Sequence, residues 1–231
     1  MRLTDYKWLE FAPSSDKEGC GQSLIIRRLG LQDYEPIWKS MRYIVENRCK
    51  ERSDEIWLLS HKPVFTLGQA ADRKNILEAG NIPVVNIDRG GQVTYHGPGQ
   101  LVAYVLLDIR KRRMSVRDLV SALENAMVSA LSYFGISAQT RPKAPGVYVN
   151  GAKIGALGLR IKNGKSYHGL SLNVDMDLAP FSNINPCGFQ NLEVTQVADH
   201  IKKSKFLLRD CSEILSKKLL GELGYNARKH L

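Results

Sequence analysis

The chain has 231 residues, a formal net charge of +10 and 43% apolar residues. This length and composition fit one globular domain, with or without a small appendage. No segment reaches the roughly 18 consecutive apolar residues of a membrane span. The N-terminal residues lack the apolar stretch of a signal peptide and carry acidic residues that transit peptides avoid, so we expect a cytoplasmic protein.

Four cysteines occur, at Cys20, Cys49, Cys187 and Cys211. None forms a CxxC pair or stands at zinc-ligand spacing from a histidine, so the sequence predicts reduced thiols and no metal site. Cys211 falls in the apolar stripe of a predicted helix, and we expect it to be a buried structural residue.

The pattern of apolar residues predicts strands and helices in alternation. Residues 1–22 are predicted to be an N-terminal extension, whose polar stretch 12–22 is a loop, and 23–231 a single domain. The predicted strands cover 23–28, 56–59, 64–67, 82–87, 101–109, 146–149, 153–161 and 167–174, with a strand and a bend as the alternative for the pair 56–59 and 64–67. Helices are predicted over 33–51, from Ser115 to a stop at Gly135, and in the tail from about 194. Asn163-Gly164 predicts a hairpin turn. The expected fold is α/β (α+β), a mixed β-sheet flanked by helices.

A glycine-rich segment from Arg89 to Gln100 carries the strongest functional signal. Its sequence, RGGQVTYHGPGQ, places four glycines among twelve residues between two predicted strands. Glycine lets the main chain approach a ligand closely, so we interpret this segment as a binding loop, although a tight turn would also use glycine. The spacing matches neither a P-loop nor a dinucleotide-binding motif.

The turn Asn185-Pro-Cys-Gly188 holds the candidate nucleophile, Cys187. Proline and glycine on either side can keep a thiol out of the core. A thiol with the reference pKa of about 8.5 is mostly protonated at neutral pH and needs a neighbouring base or cation to act as a nucleophile.

Three residues in glycine-containing surroundings could activate this thiol, namely His96, His168 and Lys153. Lys153 lies in the apolar, glycine-rich strand segment GAKIGALG. Burial favours the neutral form of an amine, so a buried Lys153 could exchange a proton with Cys187. The alternative is an edge-strand lysine that reaches water, and His168 could equally be a structural histidine.

Together these segments resemble the lipoyl(octanoyl) transferase family. The resemblance extends from about residue 56 to 199 and rests on the motifs RGGQVTYH–GPGQ at 89–100, PGVY at 145–148, KIGALG at 153–158, HGLSLN at 168–173, Phe181 and PCG at 186–188. It implies a fold related to the biotin and lipoate protein ligases.

The resemblance also implies roles for individual residues. Cys187 would carry an acyl thioester, and Lys153 would tune the thiol and pass protons. The implied substrate-binding residues are Arg89, Gly90, Gly91, Gln92, Val93, Thr94, Tyr95, His96, Ala156, Leu157, Gly158, Gly169, Leu170 and Ser171. Ala156 stands where the family also uses serine. Small residues such as Gly155, Ala156 and Gly158 are expected to leave an apolar slot for the acyl chain.

The implied reaction is the first step of lipoate biosynthesis. An octanoyl group would pass from octanoyl-acyl carrier protein to a lysine in the lipoyl domains of 2-oxoacid dehydrogenases or in glycine cleavage H protein. The donor thioester is already activated, so no ATP, metal or other cofactor is expected, and neither is a nucleic-acid or membrane partner. An acidic carrier would be attracted by the positive chain.

Two alternatives differ in chemistry. An ATP-dependent lipoate or biotin protein ligase would share the fold but would need an adenylate site and no catalytic cysteine. Lipoate ligases carry a loop of the type Arg-Arg-x-x-Gly-Gly-Gly, whereas here a single arginine precedes two adjacent glycines. A non-enzymatic basic binding protein would instead show salt-sensitive binding that is indifferent to Cys187.

Overall fold

A computed structural model describes residues 9–13, 24–49, 52–186, 192–202 and 204–226. Within these ranges the α-helices and strands, in chain order, are β1 (Leu9–Pro13), β2 (Leu24–Gln32), α1 (Tyr34–Glu46), β3 (Asp54–His61), β4 (Val64–Leu67), β5 (Val84–Asn86), β6 (Val93–His96), β7 (Gln100–Leu106), α2 (Val116–Tyr133), β8 (Gln139–Thr140), β9 (Gly146–Val149), β10 (Ala152–Lys162), β11 (Lys165–Asn173), α3 (Leu207–Glu222) and β12 (Tyr225–Asn226).

The strands form one large and one small sheet. The large sheet has the order β12-β1-β2-β3-β7-β11-β10-β9-β8, and the small sheet has the order β5-β4-β6. β2 and β3 run parallel, whereas β7 is antiparallel to both of its neighbours, so the large sheet is mixed. The predicted architecture, a mixed sheet flanked by helices, is confirmed.

Helices cover both faces of the large sheet, which explains why its central strands are buried along their whole length. On β7, Ala103 and Val105 belong to the core cluster that contains residues of α2 and α3. Val102 and Tyr104 belong to the cluster on the α1 side. Because successive side chains of a strand point to opposite faces, β7 contributes to the core on each side of the sheet.

Local signals fix the ends of α2 and of the β10–β11 hairpin as predicted. Ser115 and Asp118 form a capping box at the start of α2, and Gly135 after its end has a φ of +75°. Asn163 and Gly164 both have positive φ, 52° and 76°, as a tight hairpin turn requires.

The helix predicted over 33–51 ends at Glu46 instead. Just beyond it, Arg48 turns inward, where its guanidinium donates to the carbonyl oxygen of Leu106 at 2.8 Å and pairs with the buried Asp54. The chain therefore leaves the helical path where Arg48 enters the core, and the apolar spacing gave no sign of this contact.

The prediction of a helical tail from about 194 is wrong for residues 194–202 and 204–206. Among these described residues the structure has a short 3-10 helix, Val197–Asp199, and α3 begins at Leu207. Val194 instead forms a parallel bridge with Lys153, and Ala198 donates its N–H to the carbonyl of Val174 at 2.9 Å. Backbone groups satisfied by neighbouring strands are not available for a helix.

The backbone of Leu9–Pro13 pairs with β2 and with β12, so part of the predicted extension lies at one edge of the large sheet. Ala12 and Pro13, predicted as loop, fall within this strand, and 14–22 lie outside the described residues. The division into extension and domain stays a prediction. None of the helices in the described ranges has the length and apolarity needed to cross a bilayer.

Candidate active site

A cavity of about 60 Å³ opens between the glycine-rich loop, the β7–β11–β10 part of the sheet and the start of α1. The structure brings together here most of the residues predicted to bind substrate. Those that line the cavity are Arg89, Gly91, Gln92, Val93, Thr94, His96, Ala156, Leu157, Gly158, Gly169, Leu170 and Ser171.

Gly90 and Tyr95 do not line this cavity. The N–H of Gly90 donates to the carbonyl of Leu159 at 2.9 Å, which ties the loop to β10. The ring of Tyr95 packs between Phe65 and Phe181, with centroid distances of 5.5 Å to each. Both residues hold the loop in place from behind.

Four further lining residues, Tyr34, Val102, Tyr104 and His168, were not among the predicted substrate-binding residues. Tyr34 and the two β7 residues belong to the apolar patterns that predicted the helix over 33–51 and the strand over 101–109. A description as core fits Tyr104 only in part, since its hydroxyl oxygen forms a hydrogen bond with Nε2 of the buried His61, at 2.7 Å. A tyrosine on an otherwise aliphatic strand was the available signal.

The small residues of β10 serve two sides of the sheet. A Cβ on Gly158 would meet Cδ of Arg89 at 2.8 Å, which places this glycine against the cavity. A Cβ on Gly155 would meet Sδ of Met127 at 2.7 Å, so Gly155 makes room for α2 instead. Gly155 therefore does not widen the larger cavity. The expectation that Gly155 would leave room for the acyl chain was wrong for this cavity.

Lys153 is buried, with 5% of its surface exposed, and does not reach water as an edge-strand lysine would. Its ammonium donates to the carbonyl oxygen of Pro145 at 3.0 Å and lies 5.5 Å from the ring centroid of Tyr148. The side chain crosses Gly146, where a Cβ would stand 2.5 Å from Cε. The PGVY segment thus provides the channel for this amine.

Lys153 lines a second, smaller cavity of about 20 Å³. Thr94, Ala156 and Ser171 line both cavities, so the two are contiguous. Pro186 also lines the smaller one. Lys153 and the residue that precedes Cys187 therefore line the same space.

Cys187 itself lies outside the described residues, but the chain on both sides is anchored next to Lys153 or the small sheet. Asn185 donates its N–H to the carbonyl of Asn75 at 2.8 Å. On the far side, Lys153 donates its N–H to Glu193 at 2.8 Å and accepts from Thr195 at 3.0 Å. Lys153 thus fixes the returning chain with its backbone.

The other cysteines that the structure describes are unsuited to this site. Cys211 is buried in the core, as predicted, and burial raises the pKa of its thiol to about 12. Cys49 is exposed beside Arg48, which bonds to the last residue of β7, Leu106. The first residue of that strand, Gln100, lines the small cavity, so Cys49 lies roughly 20 Å away at the opposite end of the sheet.

Comparison with known proteins places these features in a family. The family described as the lipoyl protein ligase A/B catalytic domain matches residues 33–219, most of the chain. The chain belongs to this family. Its relatives include proteins named octanoyltransferase from Hahella chejuensis, 57% identical over 78% of this chain and 80% of that protein, and from Pseudomonas fluorescens strain SBW25, 55% identical over 86% and 92%.

Solved structures agree on the fold. A bi-partite lipoate protein ligase from Thermoplasma acidophilum is 17% identical, with a TM-score of 0.65 over 85% of this chain and 83% of that one. A lipoate-protein ligase A bound with ATP is 15% identical, with a TM-score of 0.67 over 87% and 84%. At these identities the likeness establishes a shared fold with the lipoyl protein ligase family and nothing more.

Within this member of the lipoyl protein ligase A/B family, the two histidines proposed as alternative bases are poor candidates. Burial lowers the pKa of His96 to about 3, and its Nδ1 is 2.7 Å from Oε1 of Gln100. Burial likewise lowers the pKa of His168, whose Nε2 is paired with Asp88. Of the three candidates, Lys153 alone lines the small cavity beside Pro186.

A chain of hydrogen bonds connects the glycine-rich loop to the segment that follows Cys187. The amide of Gln100, which accepts from His96, donates to Oδ1 of Asn173 at 2.9 Å. Asn173 in turn donates to the carbonyl of Thr195 at 3.0 Å. In this family member the loop, the sheet and the anchor of the cysteine segment are therefore held as one unit.

Proposed function

We propose that this protein transfers an octanoyl group from octanoyl-acyl carrier protein to a lysine of lipoyl domains, through a thioester on Cys187. The observation that carries the proposal is the pair of contiguous cavities, one of which is lined by Lys153 and Pro186. High identity to proteins named octanoyltransferase supports the acyl group and the reaction class.

Simple reach supports a pairing of the thiol with the amine. Consecutive Cα atoms are about 3.8 Å apart, so Cys187 cannot lie far from Pro186 and the small cavity. A cation beside a thiol favours the thiolate, and a buried amine can also accept the thiol proton. Lys153 is the described residue with both properties at this place.

The larger cavity would hold the acyl chain. Ala156 and Ser171, which line both cavities, are paired across β10 and β11. Gly158 and Gly169 form the next pair on the same face and are paired further with Tyr104 of β7. A chain attached at Cys187 would run along these pairs, away from Lys153 and toward Tyr104.

The reaction would then proceed in two displacements. The Cys187 thiolate attacks the donor thioester carbonyl, a new C–S bond forms, and the carrier thiol leaves with a proton supplied by the Lys153 ammonium. The acceptor lysine amine next attacks the enzyme thioester, the Cys187 thiolate leaves, and the amine proton passes to Lys153. Backbone N–H groups near the glycine-rich turn would stabilise the oxyanion of each step.

The partners follow from this chemistry. The acceptors would be lipoyl domains of 2-oxoacid dehydrogenases and glycine cleavage H protein, and the acidic carrier would meet a chain of net charge +10. We propose a cytoplasmic location, where these partners would be available, and no requirement for ATP or a metal.

Intact-mass analysis after mixing with octanoyl-acyl carrier protein tests the proposal. We expect the mass of one octanoyl group, located on Cys187 by peptide mapping and lost when a lipoyl domain is added. Cys187→Ser should abolish the acyl-enzyme and the transfer. Cys49→Ser is the matched control, because that exposed thiol lies far from the cavities, and it should behave as wild type. Transfer at the normal rate by Cys187→Ser would refute the mechanism.

A further inference from the structure

His168 has an unusual backbone and an unusual position. It is a non-glycine residue inside a strand, yet its φ is +60°, in the left-handed region. Its ring stacks on that of its neighbour Tyr167, 5.0 Å between centroids with 26° between the planes, instead of alternating to the other face. The residue is 1% exposed and lines the larger cavity. Strain of this kind is typical of functional positions.

Asp88 fixes the ring of His168. The carboxylate accepts from Nε2 of His168 at 3.0 Å, from Nε1 of Trp38 at 2.8 Å and from the hydroxyl of Tyr167. Burial alone would raise the pKa of Asp88, but these three bonds hold it well below its usual range. Burial lowers the pKa of His168. At neutral pH the carboxylate is therefore ionised and the neutral imidazole keeps its proton on Nε2.

This arrangement leaves Nδ1 of His168 as a bare hydrogen-bond acceptor. The atom is buried and finds no hydrogen-bond partner among the residues that the structure describes. His168 lines the cavity and Asp88 does not, so the imidazole ring stands between the carboxylate and the cavity. A ligand in the cavity can either donate a hydrogen bond to Nδ1 or leave it unpaired.

The position of His168 along the sheet defines which part of a ligand would meet it. His168 pairs with Leu159, three positions beyond Ala156 on β10 and six beyond Lys153. At about 3.3 Å per residue, it lies roughly 10 Å further along the strand than the Ala156–Ser171 pair and roughly 20 Å from Lys153. His168 therefore stands at the end of the cavity remote from the cysteine segment.

We propose that His168, held by Asp88, sets the upper limit of acyl-chain length. The inference rests on the proposed function, in which the cavity holds the acyl chain. A chain that stops short of His168 leaves space in which water can donate to Nδ1. A longer chain presses methylene groups against the acceptor and leaves it buried and unpaired, which opposes binding. Selection would thus depend on polarity and not on bulk alone.

Measurements on the wild-type enzyme alone can show whether polarity or bulk limits the length of the acyl chain. Transfer from carriers that bear eight-, ten- and twelve-carbon chains is compared with transfer of the same chains ending in a hydroxyl group. The hydroxyl can donate to Nδ1, so we expect it to raise the kcat/KM of the longer chains roughly tenfold. Equal rates for plain and hydroxylated long chains would overturn the proposal.

Two variants test the residue itself. His168→Leu removes the acceptor with a side chain of substantial size and should raise kcat/KM for the plain longer chains roughly tenfold relative to octanoyl, with no benefit from the hydroxyl. His168→Asn, which tolerates the left-handed backbone, is smaller yet polar and should not show this gain. A larger gain for asparagine than for leucine would indicate a steric limit and contradict the proposal.

The same assay separates this inference from the proposed function. If wild-type enzyme forms no octanoyl-enzyme on Cys187, the proposed function fails. If octanoyl is transferred but the hydroxyl group and the leucine substitution leave the chain-length profile unchanged, only the role of His168 fails. Should a variant not fold, as judged by circular dichroism, the wild-type comparison decides alone.

Discussion

The buried position of the Lys153 amine depends on Gly146, over which its side chain passes. Gly146 has a φ of +137°, and its missing side chain leaves the space through which Lys153 passes to Pro145. The amine could otherwise not reach the cavity that Pro186 also lines. At the residue scale the site is therefore built by a glycine and a carbonyl as much as by the lysine.

If Lys153 acts as proposed, Lys153→Ala should slow both half-reactions and shift the pH profile of acyl-enzyme formation to higher pH, because the thiol would lose its cation and proton acceptor. Stopped-flow measurement of acyl-enzyme formation from pH 6 to 9 checks this. Lys162→Ala, at the end of the same strand and 45% exposed in its pair with Glu46, is the control and should follow wild type. An unchanged profile for Lys153→Ala would assign this lysine a structural role only.

Sequence reasoning found residues that lie in a distinctive local segment of the chain, such as the glycine-rich loop and Lys153. It could not find the role of Asp88, whose partners Trp38, Tyr167 and His168 are 50, 79 and 80 positions away. Nor could it tell that His168 has a positive φ, because a non-glycine residue in a predicted strand gives no local sign of one. Groups assembled by tertiary contacts leave no local pattern.

Among the elements, β7, β10 and β11 form the floor of the site by close backbone approach. A Cβ on Gly169 of β11 would stand 2.0 Å from the carbonyl oxygen of Ala103 on β7. Hydrophobic periodicity identified these strands and the helices α1 and α2. It failed where tertiary contacts set the boundary, at the inward turn of Arg48 and at the bridge between Val194 and Lys153.

Gly169→Ala should destabilise the protein by about 1–3 kcal/mol, because a methyl group there forces β11 away from β7. Gly221→Ala is the matched control: its Cβ meets nothing within 4 Å in α3, and alanine should stabilise this helix by about 0.5–1 kcal/mol. Urea denaturation of both variants measures the two changes. Equal stability of the Gly169 variant and wild type would show that the strands can separate without cost.

At the scale of the molecule, one basic run among the described residues lies away from the cavities. The basic run Arg110–Arg113 follows β7 at the end opposite to Gln100, which lines the small cavity. Arg112 of that run is turned inward over the ring of Tyr225, 4.4 Å from its centroid. Arg112 therefore supports the fold and is not available as a surface charge for an acidic partner.

Stability should decrease as the pH falls below about 6.5. His61 and His96 are buried, and burial lowers their pKa values to about 4 and about 3. In the unfolded chain both take up protons near pH 6.5, so acid favours unfolding by up to about 1.4 kcal/mol per pH unit for each histidine. Above pH 6.5 this effect vanishes.

Urea denaturation between pH 7.5 and 5, where most carboxylates stay ionised, measures this slope. His61→Gln and His96→Gln should each make it shallower. A free energy of unfolding that is constant or rises on acidification across this range would show that neither histidine is kept neutral by the fold.

The carboxylate of Asp54 joins parts of the chain that are far apart in sequence. It pairs with Arg48, accepts from the backbone N–H of Asp108 at 2.9 Å and from the hydroxyl of Tyr225 at 2.6 Å, and lies 3.6 Å from Arg112. Detachment of the last strand would remove Tyr225, one of the hydrogen-bond donors to this buried carboxylate. We therefore expect the first and last parts of the domain to unfold in a single calorimetric transition. The candidate site lies between them and should lose its structure in the same transition.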